Sequence, residues 1–133
     1  MQKNSSLVTV IIPNYNGKEL LAKNLPYVLK AYQNPENKIK EIVVVDDAST
    51  DDSVTFIKHN FPEIRVIQHR VNRGFSSAVN MGARSARGRY LALINSDVIP
   101  SENFLETVLQ YFKDDKVFAV SLHEKGYGWV RGK

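Results

Sequence analysis

Apolar residues in this chain come in blocks separated by short polar stops. Leu7-Val8-Thr9-Val10-Ile11-Ile12 is a β-rich run ended by Pro13-Asn14-Tyr15-Asn16-Gly17. Without in–out alternation, such a run predicts a strand covered on both faces, as in a parallel sheet. Lys18 to about Tyr32 predicts a helix with Leu20, Leu21, Leu25, Val28 and Leu29 on its apolar side. Pro26 within it predicts a kink, or a break with Pro26 opening a second short helix. After a turn at Asn34-Pro35-Glu36-Asn37, Ile39 to Val45 predicts a second strand ending in Asp46-Asp47. Thr50 or Asp51 caps a helix reaching about His59, with Asp51 and Asp52 at its positive end.

Phe61-Pro62 stops that helix, and Ile64 to Ile67 predicts a short third strand. Asn72-Arg73-Gly74 leads into a small-residue helix over about Ser76 to Ala86, closed by Gly88. Tyr90 to Ile94 predicts a fourth strand ending in Asn95-Ser96-Asp97. Ser101 caps an amphipathic helix over Glu102 to about Phe112, with Phe104, Leu105, Val108, Leu109 and Phe112 on one stripe. Val117 to Val120 reads as a fifth strand. The glycine-rich, basic stretch Gly126 to Lys133 completes no periodic element, and 1–6 and 121–133 are expected to be flexible ends. The order βαβαβαβαβ predicts an α/β fold with a mostly parallel sheet.

Composition narrows the function. At 133 residues the chain fits one domain, and 43% hydrophobic with 24% charged residues is globular composition, not disorder. The absence of cysteine excludes disulfides, thiolate metal sites and a cysteine nucleophile. A formal charge of +4 permits an anionic ligand but does not by itself define a nucleic-acid surface. No signal peptide is visible, and the run Leu7 to Ile12 is too short to cross a membrane.

In an open parallel sheet, ligands bind beyond the carboxyl ends of the strands. Three polar groups follow strands here: Pro13 to Gly17, Asp46-Asp47 with Ser49 and Asp51, and Asn95-Ser96-Asp97. Right-handed crossovers place them on one rim despite their separation in sequence. A carboxylate there accepts from a base N–H or from ribose hydroxyls, and another holds a hard divalent ion against phosphate oxygens. Asn72, Arg73 and Gly74 approach from the next loop. Arg70, Arg73, Arg84, Arg87 and Arg89 are expected to give a local basic excess.

These segments resemble the family 2 glycosyltransferases, inverting enzymes of the GT-A fold. The likeness lies in Val8 to Gly17, Ile42 to Asp51, Asn72 to Gly82 and Tyr90 to Asp97, in that order. It implies a three-layer α/β/α sandwich whose Rossmann-like half binds a nucleotide sugar. By position, Pro13 and Tyr15 correspond to the first nucleotide loop, where the aromatic packs by the base. Asp47 corresponds to the carboxylate that reads uracil or thymine. Asn72 and Gly74 shape the nucleotide-sugar pocket, with Asn80 on the following helix. Asn95-Ser96-Asp97 occupies the Asp-x-Asp site, with Asp97 the expected ligand of Mg²⁺ or Mn²⁺.

Two departures stand out. Asn95 replaces the first Asp and brings no charge, which weakens the expected metal site. The family's general base lies after the Asp-x-Asp strand, in the acceptor half. Neither Glu102, Glu106, Asp114, Asp115 and Glu124 nor His123 matches it, so no catalytic residue is assigned. The resemblance therefore implies a partial domain: a donor half for a UDP- or dTDP-sugar, with the acceptor half missing. The acceptor would be a saccharide or lipid-linked hydroxyl, in cell-envelope polysaccharide synthesis, in the cytoplasm or at the cytoplasmic face of the membrane. A non-catalytic nucleotide-binding module or receiver-like Mg-binding domain is the alternative, although receiver acids follow the first strand and none does so here. Nucleic-acid binding lacks the interleaved aromatics that stack bases.

Overall fold

The computed structural model describes residues 6–122. Strands β1 (Val8–Asn14), β2 (Ile39–Asp46), β3 (Arg65–Gln68) and β4 (Tyr90–Leu93) form one sheet in the order β3-β2-β1-β4. All three pairings are parallel. Helix α1 (Lys18–Gln33) follows β1, α2 (Ser53–Asn60) follows β2 and α3 (Phe75–Ser85) follows β3. Helices α1 and α2 cover one face, α3 the other, giving the expected α/β/α layers.

The layers explain the unbroken apolar runs. On one face, Val8, Val10, Ile12, Ile42 and Val44 pack with Leu21, Leu25 and Val28 of α1 and Ile57 of α2. On the other, Ile11, Val43 and Val45 pack with Ala78 of α3. Both sets of alternate side chains find cover, so neither face is polar. Helix α3 comes in closely at Gly82, where a Cβ would lie 2.6 Å from Ile11 Cγ2 and 3.1 Å from Val45 Cγ2. Pro13 sits inside central strand β1 without harm. Its nitrogen faces the β4 side, as the Ile94 N–H to Ile11 carbonyl bond shows, and β4 has already ended there.

Three expectations fail. The break suggested at Pro26 does not occur, and α1 is one helix. Pro26 and Ala22, whose carbonyl loses its helical donor, both face solvent, where losing that bond costs less than it would in the core. The amphipathic helix over 102–112 does not form either. Turns occupy 102–108, followed by a 3-10 helix at Leu109–Lys113. The cause is Asn37, which is fully buried. Its Nδ2 donates to the Glu102 carbonyl (2.6 Å), while its Oδ1 accepts from Leu105 N (3.0 Å) and Glu106 N (3.1 Å). One side chain thus takes both the acceptor and the donor of the α-helical 102–106 bond. The fifth strand at Val117 to Val120 is also absent, and Phe118 is 97% exposed. Of the expected flexible ends, 1–5 and 123–133 lie outside the described residues, as do His123 and Glu124.

Candidate functional site

The carboxyl ends of the strands converge through polar side chains. Asn14, ending β1, donates from Nδ2 to Asp46 Oδ1, ending β2, at 2.8 Å. Its Oδ1 accepts from Gly17 N at 3.1 Å. Ser49 Oγ donates to Asp46 Oδ1 (2.6 Å) and accepts from Asn16 N (2.9 Å). Asn16, at φ 51°, returns its Oδ1 to Thr50 N (2.7 Å) and Asp51 N (3.2 Å). Asp46 is thereby an internal strut, buried and bonded within the protein. Ala48 between these groups is also left-handed, at φ 60°, strain that the surrounding bonds must hold.

Asp51 serves two helix starts. Its Oδ1 accepts from Ser53 N at 3.0 Å and from the Ser53 hydroxyl, and its Oδ2 from Lys18 N at 3.2 Å. A carboxylate at two positive helix ends is favourable. Burial acts to raise its pKa, but these bonds outweigh that and hold it below the ordinary value. Neither Thr50 nor Asp51 is the cap of α2: the cap position falls on Asp52, which makes no side-chain cap bond, and Asp51, one residue earlier, reaches the first N–H of the helix instead.

Asp47 organises the opposite side of the rim. It is 4% exposed. Oδ1 faces His69 Nδ1 (2.9 Å) and accepts from Arg73 N (2.9 Å), and Oδ2 accepts from Gly74 N (2.8 Å). Asn72 Nδ2 donates to the Asp47 carbonyl at 3.2 Å. Burial would raise the carboxyl's pKa, but the hydrogen bonds from Arg73, His69 and Gly74 outweigh it and hold the group below its ordinary range. Gly74 lies at φ 91°, which favours glycine even though open space surrounds the missing Cβ.

The structure therefore joins Asp47, Asn72 and Gly74 directly. Tyr15, 55% exposed, stands at the end of β1. Asn95 and Asp97 are exposed on the turn after β4, against the first loop: a Cβ on Gly17 would lie 3.7 Å from Ser96 Oγ. That turn is held by Asn24 of α1, whose Nδ2 donates to the Ser96 carbonyl at 2.8 Å. Asn80 is not drawn in: it is exposed on α3, two residues from both Ala78 and Gly82, which face the sheet. The expected basic excess is divided. Arg70 and Arg73 stay near the rim, but Arg84 in the last turn of α3, and Arg87 and Arg89 between α3 and β4, lie at the far end of the sheet. There Arg87 N donates to Glu41 Oε1 at 2.7 Å.

Asn24 and His69 were missed. Asn24 had a signal, a polar residue on the stripe Leu21-Asn24-Leu25-Val28. His69 had none, since nothing in its neighbours marks it as buried beside Asp47. Among the described residues no cluster of three or more His, Asp or Glu forms a metal cage. Asp97 offers one exposed carboxylate beside neutral Asn95, a set that suits an ion arriving with phosphate oxygens.

A parallel α/β sheet with a polar strand-end rim is the arrangement of open α/β folds, whose ligands lie beyond the carboxyl ends of the strands. The chain belongs to glycosyl transferase family 2, whose pattern matches residues 9–132. Glycosyltransferase GlyG of Streptococcus pneumoniae serotype 4 is 34% identical over 83% of this chain and 36% of that protein. Among solved structures, the mannosyltransferase PcManGT from Pyrobaculum calidifontis, in complex with GDP-Man and Mn²⁺, has TM-score 0.72 and 28% identity. The match covers 83% of this chain and 33% of that one. S. aureus TarS 1-349 in complex with UDP-GlcNAc has TM-score 0.68 and 25% identity, over 81% and 31%. The chain spans about a third of the length of these proteins. Family membership favours the glycosyltransferase reading over the receiver-like and nucleic-acid alternatives.

Proposed function

We propose that this chain is the donor-binding part of an inverting glycosyltransferase, taking a UDP- or dTDP-linked sugar at the strand-end rim. The observation that carries this reading is the junction of Asp47 with Asn72 and Gly74, beside Tyr15 and the Asn95–Asp97 turn. Tyr15 offers a face for the base, Asp47 an acceptor for its N–H, and Asn95 a neutral partner for a sugar or ribose hydroxyl. Pro13 sets the entry of the first loop, while Asn80, exposed on α3, has no part in this reading. Asp97 would hold Mg²⁺ or Mn²⁺ at the diphosphate. When bound, that ion stabilises negative charge on the departing nucleoside diphosphate.

In the complete protein, an acceptor hydroxyl oxygen bonds to the anomeric carbon as the bond to the diphosphate oxygen breaks. The hydroxyl proton passes to a base outside the residues assigned here. The acceptor in this reading is a saccharide or lipid-linked hydroxyl of a cell-envelope polymer; a place in such synthesis is supported by one relative, the minor teichoic acid biosynthesis protein GgaB of Bacillus subtilis, 32% identical over 81% of this chain and 12% of that protein. No described helix is long and apolar enough to cross a membrane. A site in the cytoplasm, or at the cytoplasmic face of the membrane, suits a nucleotide-sugar donor.

Calorimetric titration of the folded chain with UDP, dTDP and GDP, with and without Mn²⁺, tests the reading. UDP or dTDP binding strengthened by Mn²⁺ is expected, and Asp97→Ala should remove the Mn²⁺ effect without altering thermal unfolding. A folded chain that binds none of these nucleotides refutes donor recognition.

A further inference from the structure

We infer that His69 is a positioning residue for donor recognition, turning Asp47 so that its second carboxylate oxygen faces the nucleobase. This rests on the donor-site reading above. The His69 side chain is 5% exposed, and its Nδ1 lies 2.9 Å from Asp47 Oδ1. Its backbone N donates to the Asp46 carbonyl at 2.8 Å, which ties the residue to the end of β2. Its Nε2 is buried without a partner. A buried ring nitrogen left unpaired is unfavourable, so an apolar side chain would suit packing alone better. What the imidazole supplies that an apolar residue lacks is one N–H aimed at one carboxylate oxygen.

The result is an uneven carboxylate. Oδ1 meets His69 and Arg73 N, whereas Oδ2 meets only Gly74 N. A carboxylate has about four lone-pair sites, so the open acceptor position lies on Oδ2, the oxygen next to the loop that opens α3. Without His69, only the Arg73 and Gly74 N–H groups hold the carboxylate, one on each oxygen, so its position follows the 69–74 loop and loses the tie that His69 makes to the end of β2.

The orientation selects a base chemistry. A pyrimidine with an N–H between two carbonyl groups donates to Oδ2. Cytosine presents a lone pair at that position and is repelled by the carboxylate. His69 thus sets discrimination between these bases without touching either one.

The test compares UDP and CDP binding by calorimetry for the wild-type chain, His69→Leu and His69→Asn, with thermal unfolding of each. The wild type should prefer UDP by about tenfold or more, the effect of one hydrogen bond to a charged group. His69→Leu should bring the UDP:CDP ratio close to one, chiefly through weaker UDP binding. His69→Asn, whose amide N–H stands where Nδ1 did, should restore the ratio. If the Leu variant does not fold, His69→Gln replaces it, its amide reaching the Nε2 position instead. A ratio unchanged in the Leu or Gln variant overturns the inference. So does an equal loss for both nucleotides that Asn fails to repair, since that marks a purely structural role. A folded wild type that binds neither nucleotide overturns the donor-site reading itself, and is seen before any variant is made.

Discussion

Replacing Asp47 with alanine separates the two roles the structure gives it, holding the 69–74 loop and accepting from a ligand. The buried His69 ring loses its partner, at a cost of about 1–3 kcal/mol. The Arg73 and Gly74 N–H groups lie in an exposed to half-buried loop, where water replaces the lost acceptor. Each then costs about 0.5–1.5 kcal/mol net. Together the loss is on the order of 4 kcal/mol, a large part of an ordinary domain's stability. Urea unfolding at neutral pH measures it directly. Asp47→Asn should lose about half as much, because its one remaining oxygen still serves the Oδ1 donors while its amide faces the Gly74 N–H. Nucleotide affinity should fall in both variants.

The same perturbation has a pH signature. The folded-state pKa of Asp47 lies below the ordinary 3.8, so its contribution is complete above that value. It is lost as pH falls through the lower folded-state value. The stability gap between wild type and Asp47→Ala should therefore hold from neutral pH down to about 4 and close below it. A gap under about 1 kcal/mol at neutral pH, or one that persists undiminished in strong acid, refutes the account of Asp47 as the loop's anchor.

Glu41, at the far end of the sheet, accepts from Thr9 Oγ1 (2.9 Å), Arg87 N (2.7 Å) and Arg65 Nη2 (2.9 Å). Burial acts to raise its pKa, but these partners hold it below the ordinary 4.5. Glu41→Gln should cost about 2 kcal/mol at neutral pH, with the difference disappearing as acid protonates the wild-type carboxyl; pH-dependent unfolding reads both. Asn37→Ala should destabilise by about 2–4 kcal/mol, because Leu105 N and the Ala31 carbonyl lose a buried partner. Far-ultraviolet circular dichroism should show helicity rising as 102–112 is freed to form the helix its stripe encodes. Unchanged helicity would show that Asn37 is not what prevents it.

Local pattern was a good guide wherever burial was symmetrical. The β1 and β2 runs, the small-residue helix α3 and the polar stops at each strand end were all legible. Parallel crossovers turn those stops into one rim whatever the loops contain. Pattern misled where a distant side chain intervened. The stripe from Phe104 to Phe112 is a sound helical signal, yet Asn37, more than sixty residues earlier in the chain, takes the hydrogen bonds that helix needs. Pro26 is a sound breaker, yet its exposed position makes the lost bond cheap.

By itself, then, the sequence determined the parallel α/β architecture, the family, and the polar residues at the strand ends. Periodicity, turn chemistry and segment order are local properties that survive without coordinates. Tertiary structure alone decided what each polar group faces. Asp46 and Asp47 are adjacent and identical in kind, yet the first bonds inward to Asn14 and Ser49 while the second holds His69, Arg73 and Gly74. Successive residues leaving a strand point in opposite directions, and their surroundings come from segments distant in sequence. Those surroundings exist only after the chain has folded.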